Sequence, residues 1–167
     1  MEKVDCIVVG GGLAGLSAAY GLASEGLEVI LIERGDYAGA KNVAGGRLYV
    51  SPIRDMYPEL WEAAPFERPV TREFITLLNS GNATTIEFAS DKFAAQPYQS
   101  YTVLRATLDL WLSEQVMEKG GMVITNDEGL CWQAKRFADR GKPFGSTATS
   151  NLFLGFNYRM TELQATI

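Results

Sequence analysis

Apolar runs and glycines alternate at the start of the chain in an order that predicts a strand, a turn, a helix and a second strand. Cys6 to Val9 is a short apolar run that opens straight into Gly10, Gly11 and Gly12; an Ala- and Leu-rich stretch follows up to a stop at Gly26, and Val29 to Ile32 is again apolar. Gly35 to Tyr49 has little periodicity and much glycine, so a long loop is expected there, lying over whatever the first turn binds. Ser51 to Ala64 suggests one or two short helical turns. Glu73 to Asn79 and Thr84 to Ala89 are rich in β-branched and apolar residues on either side of Ser80-Gly81-Asn82, the pattern of a hairpin. Tyr101 to Arg105 is a further short strand. Leu108, Trp111, Leu112, Gln115 and Val116 keep helical spacing up to Gly120-Gly121, after which Met122 to Thr125 returns to strand and to the parallel sheet. Asp127 to Arg140 reads as an amphipathic helix and Gly141 to Ser150 as a loop, and Thr161 with Gln164 would cap a last helix.

Bulk properties narrow the classes open to such a chain. Its 167 residues suffice for one ordinary domain and are too few for a complete two-domain enzyme. With 20 acidic against 15 basic residues it is mildly acidic, which argues against nucleic acid or an anionic membrane surface as partner. No stretch reads as a signal or membrane span, so membrane association is not encoded in this segment and a cytoplasmic location is expected. Cys6 and Cys131 are expected to be buried thiols, too few for a disulfide framework or a metal cluster, and no metal site is expected. Histidine is absent altogether, which removes His-based triads and His general bases. Redox chemistry would have to come from a bound cofactor.

The glycines carry the chemistry. Gly10, Gly12 and Gly15 form G-x-G-x-x-G between an apolar strand and a helix, with Ala19, Leu22, Gly26, Val29 and Glu33 in phase behind them. In such a unit the first glycine permits the tight turn, the second lets the backbone approach a pyrophosphate, and the third lets helix and strand pack closely. The helix start, with Leu13 and Ala14 between the glycines, offers N–H groups and a positive dipole end to the phosphates. Glu33 stands where an acid accepts hydrogen bonds from the adenosine ribose, and its charge would repel a 2′-phosphate, which disfavours NADP. Arg34 beside it is assigned to the same cofactor. The expected fold is therefore α/β: a partial Rossmann-like FAD/NAD(P)-binding fold with a parallel sheet and an inserted β-hairpin. The motif alone does not separate FAD from NAD.

The stretch E-R-G-D-Y-A-G-A-K-N-V-A-G-G-R-L-Y, Glu33 to Tyr49, resembles the FixC branch of the electron-transfer flavoprotein:quinone oxidoreductases, within the geranylgeranyl reductase group of flavoproteins. The likeness extends over about the first 125 residues. It implies FAD as cofactor, with Lys41, Asn42, Gly45, Gly46 and Arg47 in contact with it. Further on, Y-T-V-L-R-A-T-L-D-L-W-L resembles the family's second FAD contact and implies that role for Arg105; Asp109, one helical turn later, can pair with it, although a solvated pair reads the sequence as well. The resemblance further implies electron transfer from an electron-transfer flavoprotein through FAD toward a quinone or similar acceptor, the flavin supplying the redox chemistry. It assigns no catalytic side chain. The chain departs from the family in lacking a second flavin motif, a quinone domain and a cysteine cluster for an iron-sulfur centre.

From about Gly120 the text changes character. G-G-M-V-I-T-N-D-E followed by G-F-N-Y-R-M-T-E-L-Q-A resembles the DegT/DnrJ/EryC1/StrS family of PLP-dependent sugar aminotransferases, which would place Asn157 and Arg159 near an active site. The family's Schiff-base lysine has no counterpart near Ser113, and Lys119 lies too close to the glycines to stand in. The expected organisation is an FAD-binding portion over residues 1–125 and an incomplete aminotransferase-like tail over 126–167, joined within Gly120 to Asn126. The alternatives are a PLP aminotransferase fragment and a catalytically inactive chimeric or truncated FAD-binding module.

Overall fold

The apolar runs at the start of the chain become neighbouring strands because their backbone groups pair with each other while their side chains meet one helix. In the computed structural model, which describes residues 3–139, 142–143 and 147–149, β1 (Cys6–Val9) leads through the glycine turn into α1 (Leu13–Ser24) and back to β2 (Val29–Ile32). β1 and β2 are parallel, with Cys6 opposite Val29 and Val9 opposite Ile32. β8 (Met122–Ile124) adds to the other edge of β2, also parallel, so the order is β1-β2-β8. Parallel strands demand crossover connections, and α1 supplies the first. Leu16, Ala19, Tyr20 and Ala23 are the buried residues of α1. Their spacing is that of a single helix face laid on a sheet.

The chain divides into two compact units. Of the described residues, the first comprises those up to Asn42 together with those from Asp109, and the second Val43–Leu108. Helix α5 (Arg105–Glu118) carries the chain back from the second to the first. In the first unit α5 buries Asp109, Leu112, Ser113 and Val116, again at helical spacing. Gly121, just before β8, fits between the elements because a Cβ there would lie 2.7 Å from Val116 Cγ1 and 3.6 Å from Ala23 Cβ. Helix α6 (Glu128–Ala138) follows β8, capped by the Asp127 side chain, which accepts from Leu130 N at 2.8 Å. The 125/126 boundary expected from the sequence falls inside this unit, between β8 and α6.

The second unit is antiparallel. β3 (Gly45–Tyr49), β7 (Ser100–Leu104) and the two-residue β4 (Arg68–Pro69) form a sheet in the order β3-β7-β4. β5 (Arg72–Asn79) and β6 (Asn82–Ala89) form the expected hairpin. Short helices α2 (Ser51–Arg54), α3 (Pro58–Glu62) and α4 (Asp91–Ala94) complete it, the first two where helical turns were expected. Trp61, Phe66 and Tyr101 stack in series, with ring centroids 6.2 and 4.5 Å apart. These rings help line a cavity of about 270 Å³ with Val50, Arg54 and Tyr98.

Three expectations need correction. The stretch 35–49 is not loop throughout: Gly45–Tyr49 is strand β3, paired along its whole length with β7. Its glycines hid it from periodicity, and its partner lies far along the chain. Asp109 is fully buried, so it does not form a solvated surface pair. Cys6 is only half-buried, whereas Cys131 is buried as expected. Part of the Gly141–Ser150 stretch, and all of the tail that holds Asn157, Arg159, Thr161 and Gln164, lie outside the described residues.

Candidate functional site

The glycine turn is shaped by backbone approach. Gly10 has φ +110, a conformation that side chains resist, and its N–H donates to Ile32 O at 2.8 Å, tying the turn to the end of β2. A Cβ on Gly15 would stand 2.1 Å from Gly10 O and 3.3 Å from Val8 Cγ1, so the helix rests directly on turn and strand. Gly12 is different: nothing lies within 4 Å of the place its Cβ would take. It is the N-cap of α1, and no side chain caps the helix. The first N–H groups of a helix have no partner within it, so Leu13 and Ala14 present donors where an anion gains from both hydrogen bonds and dipole.

Glu33 faces this helix start from the end of β2. One carboxylate oxygen accepts from Gly11 N at 2.7 Å and the other from Gly35 N at 2.7 Å. Each oxygen retains a second lone pair, so a clamped carboxylate can still accept from vicinal hydroxyls. Gly11, unread in the sequence, makes this possible, since Glu33 Cβ lies only 3.1 Å from where its own Cβ would be. The third glycine of the G-G-G run was the available signal. The loop after β8 closes the acid's other side, with Asn126 N donating to Gly35 O at 2.7 Å and Glu33 N to Ile124 O at 2.8 Å. Cys131 of α6 is buried. Burial and the negative Glu33 raise its thiol pKa, while Arg34 and Lys135 pull it the other way.

The structure therefore brings Gly10, Gly12, Leu13, Ala14, Gly15 and Glu33 together at one end of the parallel sheet, with Arg34 adjoining. Lys41 is exposed, and Asn42 donates from Nδ2 to the buried Asp109 Oδ2 at 2.5 Å. This pair spans 67 positions in the sequence and was not foreseen. In the second unit, Gly45, Gly46 and Arg105 adjoin, because Gly45 is opposite Leu104 and Arg105 N donates to Ala44 O at 3.1 Å. Arg47 on β3 is held by side chains of its own unit. Its Nε donates to Ser100 Oγ at 2.9 Å and its Nη1 to Glu73 Oε2 at 2.6 Å, while the Tyr49 ring lies 4.4 Å from the guanidinium carbon. Arg47 Nη2 is buried with no hydrogen-bond partner among the described residues.

A glycine turn, an uncapped helix start and a clamped acid are shared by several nucleotide-binding families. The model of the FAD-dependent oxidoreductases matches residues 5–143. The chain belongs to this family. Its cofactor is FAD, and the open face at Gly12 and the clamped Glu33 fit the ADP half of that molecule. The family match takes in β8 and α6, running past residue 126. Among curated relatives, Protein FixC of Salmonella typhi is 46% identical over 121 residues, covering 72% of this chain and 28% of that protein. A probable electron transfer flavoprotein-quinone oxidoreductase, YdiS of Escherichia coli, is 46% identical over 123 residues, covering 74% of this chain and 29% of that protein. A solved geranylgeranyl bacteriochlorophyll reductase-like protein from Thermoplasma acidophilum shares the fold, with a TM-score of 0.59 at 24% identity, over 75% of this chain and 30% of that one. The chain thus spans less than a third of the length of these relatives. Among the described residues no helix is long and apolar enough to cross a membrane.

Proposed function

We propose that this chain is the FAD-binding part of a flavoprotein that takes electrons from an electron-transfer flavoprotein and passes them toward a quinone or similar acceptor. The observation that carries the binding half of this reading is Glu33, clamped by Gly11 N and Gly35 N beside the uncapped start of α1. The donor and acceptor are supported by the 46% identity to a probable electron transfer flavoprotein-quinone oxidoreductase.

In this reading the N–H groups of Gly12, Leu13, Ala14 and Gly15 receive the pyrophosphate, and the dipole of α1 favours its charge. Gly10 shapes the turn. Glu33 accepts from the ribose hydroxyls and excludes a 2′-phosphate by charge, while Arg34 lies on the adenosine side. The family resemblance adds Lys41, Asn42, Gly45, Gly46, Arg47 and Arg105 as cofactor residues. The buried Asp109 supports a role for Asn42 by fixing its amide. When bound, FAD supplies the electron transfer itself, so the polypeptide needs no acid/base pair. The mild acidity supports a cytoplasmic protein over one held at an anionic surface.

The test is reconstitution. The purified chain, mixed with FAD and freed of excess by gel filtration, is expected to retain a flavin spectrum that dithionite bleaches and air restores. Retained flavin that dithionite leaves unchanged would count against a redox role, and retention of PLP in place of FAD would overturn the reading.

A further inference from the structure

Arg34 directly follows the ribose acid, and its guanidinium carbon lies 5.5 Å from the centroid of the Trp132 ring. Trp132 is itself held in place. Its indole N–H donates to Glu128 Oε1 at 3.2 Å, and Lys135 Nζ lies 5.3 Å from the same ring. The start of α6 is pinned near the acid by the Asn126 N to Gly35 O bond, the Asp127 cap and the buried Cys131. A guanidinium is a flat cation that stacks on π faces, and one held on an aromatic ring keeps its other face for a second planar group. Arg34 is exposed, so its side chain is open to a ligand. The base is the planar group attached to the ribose that Glu33 would hold.

We propose that Trp132 is a positioning residue for nucleotide binding, orienting Arg34 so that its outward face stacks on the adenine. Helix α6 is then part of the nucleotide site. This rests on the FAD-binding reading above, and it predicts that the adenine end of the dinucleotide depends on a helix the sequence placed in a foreign tail.

The experiment titrates the full chain, free of nucleotide, with FAD and separately with ADP, following binding by calorimetry. Trp132→Leu and Arg34→Ala are each expected to weaken both ligands about fivefold, the size of a partly desolvated cation–π contact. Trp132→Phe keeps a π face and is expected to restore most of the affinity. In the Arg34→Ala background, Trp132→Leu is expected to cost nothing further, because its effect passes through the arginine. Since Arg34 is exposed, Arg34→Ala folds even where a change at Trp132 does not. Wild-type affinity in Arg34→Ala, equal losses in the Phe and Leu variants, or fully additive losses would each overturn the proposal. If the wild-type chain takes up neither FAD nor ADP, the flavoprotein reading fails and this proposal falls with it, an outcome distinct from binding that ignores Trp132.

Discussion

Two glycine-rich segments were assigned to the same cofactor from sequence, Gly10 to Gly15 and Gly45 to Arg47, and the structure uses glycine differently in each. In the first, glycines shape a turn that aims backbone N–H groups outward, and Gly12 faces open space at an uncapped helix start. In the second, the backbone is engaged in strand β3, whose Gly45 and Gly46 pair with Leu104 and Val103. The charged residues differ in the same way. Glu33 is clamped by two backbone amides, whereas Arg47 is tied to the side chains of Glu73 and Ser100. A backbone clamp leaves the carboxylate's remaining lone pairs directed by main-chain geometry, which suits a binding site; a side-chain clamp first serves the packing of its own sheet.

The contrast is tested most severely by adding one methyl group to each segment. Gly15→Ala would drive a Cβ to 2.1 Å from the Gly10 carbonyl oxygen, a backbone atom that cannot swing aside. The expected loss is about 3 kcal/mol, the upper end for overpacking, or roughly 5–10 °C in Tm, with loss of FAD retention. Gly46→Ala meets nothing within 4 Å and is expected to leave Tm within about 1 °C. Equal thermal shifts in the two variants would erase the distinction.

The two charged residues give the next largest effect. Glu33→Ala leaves the N–H groups of Gly11 and Gly35 without their acceptor in a half-buried site, at a cost of about 1–3 kcal/mol, and removes the ribose contact. Arg47→Lys keeps the charge but loses the Nε bond to Ser100 and the guanidinium held over the Tyr49 ring, costing about 1 kcal/mol. Denaturant melts with and without saturating ADP separate the cases. The stabilisation by ADP is expected to vanish in the first variant and to persist in the second.

Gly12→Ala isolates binding from folding. Its φ of −87 suits alanine and its Cβ meets no atom, so Tm without nucleotide is expected to stay unchanged. The methyl group would stand where the pyrophosphate approaches, and the affinity for FAD should fall at least about tenfold. Unchanged affinity would move the phosphates away from Gly12.

What the sequence made legible follows the range of the constraint. The turn, α1, β2 and Glu33 are specified by residues within one supersecondary unit, so spacing alone revealed them. The hairpin β5–β6 was equally plain, because Ser80 and Gly81 separate two β-rich runs. Strand β3 was missed since its pairing depends on Ser100 to Leu104, and the Asn42–Asp109 bond joins positions far apart. Helix α6 was legible as a helix, but its approach to Arg34 was not, because only the folded chain brings Trp132 beside that residue. Gly11 was overlooked because the fingerprint reads its neighbours and treats its position as variable.

The smallest expected effect also probes the placement of α6 against the acid. Burial and Glu33 raise the Cys131 thiol pKa above its ordinary value. A raised folded pKa means that the native state holds the proton more tightly than the unfolded chain. The associated stability is fully present below the unfolded thiol pKa, roughly 8.5, and is lost as pH rises through the higher folded value. Tm of the wild type should therefore fall more steeply above about pH 8.5 than that of Cys131→Ala, which has no thiol to ionise. Glu33→Gln removes the charge that opposes the thiolate while leaving the burial, so it brings the folded pKa closer to the unfolded one and should make that fall smaller, with its onset unchanged. If the fall is as large as in the wild type, Glu33 does not act on the sulfur.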